Sequence, residues 1–225
     1  MLRPSHGSQD FDKNYYKRFF VRYNEQELDM YYRWHWGWAN FLDRFIDLKE
    51  GAGRRVLELG SSIGSFAKVA GERGFDIVAS DVSSFIVAKG KKLLKNIDFV
   101  RVDAEKGINL KGNFDFIFAF EVIEHVGRPE MVLKNVKGKL KKGGTFVFST
   151  PYPTTRSLSD PTHINVHKPF YWKKLGKEVG FKKMRFTHAS FIPYFYRHSK
   201  FLSFGFPIKT DLPYINSTVI FFFEK

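Results

Sequence analysis

Five carboxylates, two imidazoles and one glycine bend are the parts of this chain whose types and spacing could do chemistry. Glu58 sits in Val56-Leu-Glu-Leu-Gly60, an apolar run that Gly60 ends, and Ser61-Ser62-Ile63-Gly64 follows. A strand that breaks at glycine into a helix start leaves backbone N–H groups unpaired beside an approachable backbone. Nucleotide-like ligands occupy such cradles at the carboxyl ends of open α/β sheets. An anionic phosphate gains nothing from the neighbouring Glu58, whereas a cationic ligand does, and the Gly-x-Gly-x-x-Gly turn of a dinucleotide site is missing. Asp81 ends a second apolar run about twenty residues on, where a carboxylate can accept from both hydroxyls of a ribose. The plainer role for Asp81 is a helix N-cap. Asp103 ends a third run.

Further on, Glu121, Glu124 and His125 stand at i, i+3 and i+4, which would put them on one face of a helical turn. With His163 they make a two-carboxylate, two-imidazole set suited to a divalent cation that also grips substrate oxygens. An imidazole titrates near neutral pH, so His125 and His163 are equally candidates for a general base. Packing and loop ordering are the competing roles for both.

The elements that must position these groups read as alternating strands and helices, the pattern of a parallel sheet with crossover helices. Strands are expected at Val56–Leu59, Asp76–Ser80, Phe99–Val102, Phe114–Phe120 and Thr145–Ser149. Helices are expected at Ser65–Arg73, Ser84–Leu94 and Arg128–Leu140, the last closed by Gly143-Gly144 as a C-cap. A helix from Pro169 to Val179 leads to Phe181–Phe186, and Ser217–Glu224 is a final strand with no helix before it. Residues 1–50 read as a helical extension and lid, with Phe11–Tyr23 and Leu28–Leu48 dense in aromatics, most of which are expected to pack on the core. Within it Tyr15, Tyr16 and Arg33 are the expected ligand contacts. Residues 51–225 form the main domain, with an insertion at 190–216 rich in aromatics and cations. That insertion reads as a substrate cap or a packed flap, with lipid and nucleobase contact as the other readings.

The stretch Glu58-Leu-Gly-Ser-Ser-Ile-Gly-Ser-Phe66 resembles the first motif of class I S-adenosylmethionine (SAM)-dependent methyltransferases, with Ser62 where a middle glycine is common. Phe114-Asp-Phe-Ile-Phe-Ala-Phe-Glu-Val-Ile-Glu-His125 is similar to the fourth-strand motif of that family's small-molecule branch. Leu140–Pro151 and Asp160-Pro-Thr-His-Ile-Asn165 match the same branch. The resemblance implies an α/β, Rossmann-like, mostly parallel seven-stranded sheet of order 3-2-1-4-5-7-6 with helices on both faces. It implies a SAM site made by Glu58, Gly60, Ser61, Ser62, Gly64, Asp81, Val82, Asp103, Ala104, Phe120 and Glu121. Asp103 would read the adenine amino group, and Phe120 and Glu121 would lie near the methionine moiety. His125 would project toward the acceptor. Small-RNA 2′-O-methyltransferases and some ubiquinone-pathway O-methyltransferases share the Glu-x-x-Glu-His run, which keeps a divalent metal as an alternative with no ligand assigned.

The activity so implied is methyl transfer to a hydroxyl or amine of a small or carrier-linked acceptor. Two alternatives are a metal-assisted RNA 2′-O-methyltransferase and a binding protein that kept the fold and lost catalysis. With 37 Lys and Arg against 23 Asp and Glu, net +14, the surface favours an anionic partner or simply solubility. The absence of cysteine excludes disulfides and cysteine-ligated zinc. No apolar run approaches the roughly 20 residues of a membrane span, and the N-terminus lacks a signal-peptide core. The expectation is a cytoplasmic protein.

Overall fold

The computed structural model describes residues 11, 13–192, 194–210, 212 and 215–225. Its strands are β1 (Arg55–Leu59), β2 (Asp76–Asp81), β3 (Asp98–Arg101), β4 (Phe114–Ala119), β5 (Leu140–Thr150), β6 (Lys183–Phe191), β7 (Gly205–Phe206) and β8 (Asn216–Glu224). They form one sheet in the order β3-β2-β1-β4-β5-β8-β6-β7. This is the expected order with one two-residue strand added at the edge. Strands β1 to β5 pair in parallel, and β8 runs antiparallel to both β5 and β6.

The strands are apolar on both faces because both faces are covered. Val56, Phe118 and Phe222 point into one core, beneath α2 (Glu25–Leu42), α3 (Ser65–Glu72) and α4 (Ser84–Leu93). Their neighbours Leu57, Ile117 and Phe221 point into the other, which α5 (Pro129–Lys139) and α7 (Pro169–Val179) close with Val136 and Trp172. The short helices α1 (Lys13–Tyr16) and α6 (Thr155–Ser159) lie in the connections.

Two expectations need correction. The glycines of Gly143-Gly144 do not cap α5, which ends at Lys139. They lie inside β5, where the register against β4 slips, and exchange bonds with Lys225: Gly143 N–H to its carbonyl, Lys225 N–H to the Gly144 carbonyl. Gly143 has a φ of 77°, the conformation an L side chain resists. Of the helical extension expected at 1–50, residues 1–10 and 12 lie outside the described residues, and residues 13–24 are not continuous helix but the single turn α1 and a bend. Glu27 accepts N–H bonds from Val21, Arg22 and Tyr23, which fixes the chain in a turn. The Asn24 side chain then accepts the Glu27 N–H at 3.0 Å and starts α2.

Helix α2 also seats the insertion. Arg33 does not reach the cavity; its guanidinium pairs with Asp29 and donates to the Arg197 carbonyl. The Ser203 hydroxyl donates to the Trp34 carbonyl at 3.3 Å. A Cβ on Gly37 would collide with the Ser203 side chain and carbonyl. Gly37→Ala is therefore expected to cost about 1–3 kcal/mol by overpacking. Thermal unfolding would show it as a midpoint several degrees lower.

Candidate active site

A cavity of about 390 Å³ opens where β1, β2 and β4 end. Gly60, Ser61 and Ser62 of the glycine bend line it. Gly60 has φ of 70° and no room for a Cβ, which would collide with the Val122 side chain. Ser62 takes φ of 52° despite its side chain, at a local cost in strain. Gly64, in contrast, faces away from the cavity: it is the left-handed N-cap of α3, backed against the Phe99 ring.

Gly64 brings no side chain to cap α3, and Glu58 supplies what is missing. Its carboxylate accepts the Ala67 N–H in the first turn of that helix. The other oxygen, Oε2, has no partner among the described residues, and neither do the hydroxyls of Ser61 and Ser62. Burial, with repulsion from Asp81, pushes the Glu58 carboxyl well above the ordinary carboxylate range. A cation in the cavity would pull it back.

Asp81 is buried at the end of β2. Its Oδ1 accepts from the Ser83 N–H at 3.0 Å and the Tyr16 hydroxyl at 2.9 Å, and its Oδ2 accepts the Ser62 N–H at 3.2 Å. Burial raises the Asp81 carboxyl, and burial beside that carboxylate raises the Tyr16 phenol. Val82, Asp103 and Ala104 line the cavity beside it. Asp103 is paired with Lys106 at 3.0 Å, an exposed partner whose hold is weak.

Phe120 and Glu121 line the far side. Glu121 has φ of 51°, and its Oε1 accepts from Ser149 at 2.7 Å and Thr218 at 2.7 Å. The kink separates it from the one-turn 3-10 helix Ile123–His125. The structure therefore brings together Glu124, His125 and His163, one ligand atom of each within 4.8 Å of the others, and leaves Glu121 out of that cluster. The Nδ1 atoms of His125 and His163 contact the carbonyls of Thr162 and Ser157, each at 2.9 Å. A carbonyl only accepts, so each neutral ring carries its proton on Nδ1 and presents Nε2 as the acceptor. Glu124 is fully buried, both of its oxygens lack a hydrogen-bond partner among the described residues, and His125 Nε2 stands 4.0 Å from Oε1. Burial, with repulsion from Glu121, pushes its carboxyl well above the ordinary range.

The aromatic wall is what the sequence did not single out. Trp34, His35 and Trp38 on α2 line the cavity, and the Phe120 ring packs 5.0 Å from Trp38 and 4.9 Å from Phe66. Burial pulls the His35 imidazole down to about 4, so it is neutral, and Ser65 Oγ sits 2.9 Å from its Nδ1. Phe11 and Tyr15 pack edge-on over His125 at 5.6 and 6.3 Å. No helix of the described residues is long and apolar enough to cross a membrane.

Comparisons with known proteins agree with this arrangement. Residues 32–194 match a family described as "Methyltransferase domain". The ubiquinone biosynthesis O-methyltransferase of Acinetobacter baumannii (strain AYE) is 29% identical over 114 residues, 47% of this chain and 48% of that protein. That of Coxiella burnetii (strain Dugway 5J108-111) is 28% identical over 114 residues, 49% of this chain and 47% of its own length. The chain thus spans about half the length of these relatives. A SAM-dependent methyltransferase from Archaeoglobus fulgidus superposes with a TM-score of 0.64 at 18% identity, over 94% of this chain and 98% of that one. Magnesium protoporphyrin IX methyltransferase from Synechocystis PCC 6803, solved with bound SAM, gives 0.62 at 15% identity, over 97% and 95%. The chain belongs to the methyltransferase domain family, and its fold is that of the class I SAM-dependent enzymes.

Proposed function

We propose that this protein is a SAM-dependent O-methyltransferase acting on a small or carrier-linked acceptor. The observation that carries the reading is the set of buried carboxylates, Glu58 and Asp81, at successive strand tips around one cavity. The orphaned Glu58 Oε2, Ser61 Oγ and Ser62 Oγ fit a polar, positively charged nucleoside, as does the side-chain-free approach at Gly60. The bound cofactor supplies an electrophilic methyl carbon on a sulfonium.

The chain's own residues do the rest. Asp81 holds a ribose diol, Asp103 accepts from an exocyclic amine, and Glu58 places negative charge beside the cationic end. The Trp34, Trp38 and Phe120 wall keeps water from the reacting atoms. Nε2 of His125 or His163 takes the proton that an acceptor hydroxyl gives up on attack. The N-terminal segment, with Tyr15 over His125 and Tyr16 on Asp81, is the lid over these groups. The ubiquinone O-methyltransferase names of the relatives support an oxygen acceptor of small-molecule type. Calorimetry with SAM tests the reading, followed by transfer of labelled methyl to dihydroxybenzoate-type acceptors. No heat of binding at millimolar SAM would sink it.

A metal-assisted variant of the same reaction is favoured by one observation, the unpartnered Glu124 carboxylate between two imidazoles whose Nδ1 atoms are already committed. Backbone carbonyls that fix the outer ring nitrogen are the usual support of a metal-ligating histidine. The set would serve acceptors with two neighbouring oxygens, whether a catechol or the terminal ribose of an RNA, and the relatives favour the first.

Tyr16 adds a smaller expectation. Its hydroxyl fills the Asp81 Oδ1 that a ribose hydroxyl would use. Tyr16→Phe should therefore tighten SAM binding by roughly three- to tenfold, the worth of one hydrogen bond to a charged group less its reorganisation. Calorimetry on the two proteins reads it directly.

A further inference from the structure

The insertion between β6 and β8 turns its apolar side chains outward. Eight of the thirteen exposed large hydrophobic residues of the described chain fall between 194 and 212. Phe201 is 64% exposed, Tyr194 57% and Phe195 56%. At β7 the usual rule of an edge strand is inverted. Ser203 and Gly205 are the buried positions, and Phe204 and Phe206, which alternate with them, are 50% and 45% exposed.

The inversion has a steric cause. Ser203 lies against the backbone of α2 at Gly37, and a Cβ on Gly205 would press into the rings of Phe191 and Phe41. Only small residues fit inward, and successive residues of an extended chain face opposite sides. The aromatics therefore face out by construction. Soluble monomers rarely carry so concentrated an apolar patch without a partner.

Charge names the partner. No acidic residue occurs between Glu178 and Asp211, a stretch that holds Arg197, Lys200 and Lys209 among the aromatics. Arg197 and Lys209 are exposed, and their cationic groups lie over the rings of Tyr194 at 5.4 Å and Tyr152 at 4.0 Å. Aromatics flanked by cations, with no acid, match the interface of an anionic bilayer, where rings settle at headgroup level and cations meet lipid phosphates. The inner side of the insertion touches the cavity wall, because Tyr196 packs 5.0 Å from Trp34.

We propose that residues 194–210 are a docking face for an anionic lipid surface. The proposal stands apart from the assignment of the cavity, since it uses none of the carboxylates or imidazoles there. It would let a membrane-held acceptor meet the cavity without leaving the bilayer.

The test is co-sedimentation of the full chain with vesicles of phosphatidylcholine alone and of phosphatidylcholine with phosphatidylglycerol. Binding to the second and weak binding to the first is expected, falling as salt rises. The triple variant Phe201→Ser, Phe204→Ser, Phe206→Ser should lower partitioning at least about tenfold. Arg197→Glu with Lys209→Glu should remove the preference for phosphatidylglycerol by a similar factor while keeping the rings. An unchanged far-UV spectrum and unfolding midpoint in both variants confirm that the fold is kept. Three results would overturn the proposal: no binding to either vesicle, equal binding by the variants, or a wild-type dimer that the triple variant dissolves. Salt-sensitive binding of single-stranded RNA without vesicle binding would overturn it as well.

Discussion

Asp81→Ala is expected to weaken SAM binding by roughly 10²- to 10⁴-fold, with calorimetry as the measurement. A carboxylate that accepts from both hydroxyls of a ribose makes two charge-assisted hydrogen bonds, each worth about 1.5–3 kcal/mol net. Both are lost at once, and the N–H groups of Ser62 and Ser83 lose their acceptor as well. Asp81→Asn keeps the shape and gives up the charge, so its affinity should fall between wild type and alanine. Affinity in Asp81→Ala within threefold of wild type would mean that the cavity does not hold a ribose there.

The second large effect is expected at Glu124. Its buried carboxyl is raised above the ordinary range, so the sign of its pH dependence follows. A carboxyl whose folded value is raised favours the fold while protonated in both states, and that contribution is lost as pH rises from the ordinary carboxylate range through the raised value. Glu124→Gln removes the ionisation. It should raise the unfolding midpoint of the metal-free protein by ~3–8 °C at mildly alkaline pH, and the gap should close toward about pH 4.5. A divalent cation reverses the balance, because ligation needs an ionised carboxylate and neutral imidazoles. Manganese affinity should therefore rise with pH in wild type and collapse in the variant.

In turnover, His125→Ala and His163→Ala should each lower kcat by roughly 10²- to 10⁴-fold with SAM affinity unchanged. Dialysis against chelator separates the two roles. Full activity without metal leaves the imidazoles as bases; activity lost and then restored by magnesium or manganese makes them ligands.

Much of this was legible in the residues. Val56-Leu57 and Phe116–Ala119 are apolar on both faces, as a covered parallel strand requires, and Gly60 marks where the first one stops. Asp81 was found because it ends a second apolar run about twenty residues after the glycine turn, the spacing at which a strand-tip carboxylate meets a ribose. Other features depended on tertiary contacts that local pattern does not carry. An acid inside a strand reads as a ligand, and nothing near Glu58 in sequence shows that it also caps a helix whose own N-cap is glycine. A glycine pair after a helix reads as its cap, until the bonds to Lys225 show a bulge. Trp34, His35 and Trp38 look like one more helical aromatic stripe, and only the placement of α2 against the cavity distinguishes them. The i, i+3, i+4 spacing promised Glu121 to the same face as Glu124, and one residue of positive φ took it elsewhere.

The position of β8 sets a constraint on biosynthesis. It bonds to β5 on one side and β6 on the other, so β6 has no link to the parallel strands until residues 216–224 have left the ribosome. Until then the nascent chain presents two open sheet edges, at β5 and β6, each a template for pairing with another molecule. A chain arrested before residue 216 should be cut readily by protease between 183 and 191, and release of the remaining residues should abolish that cleavage in one step.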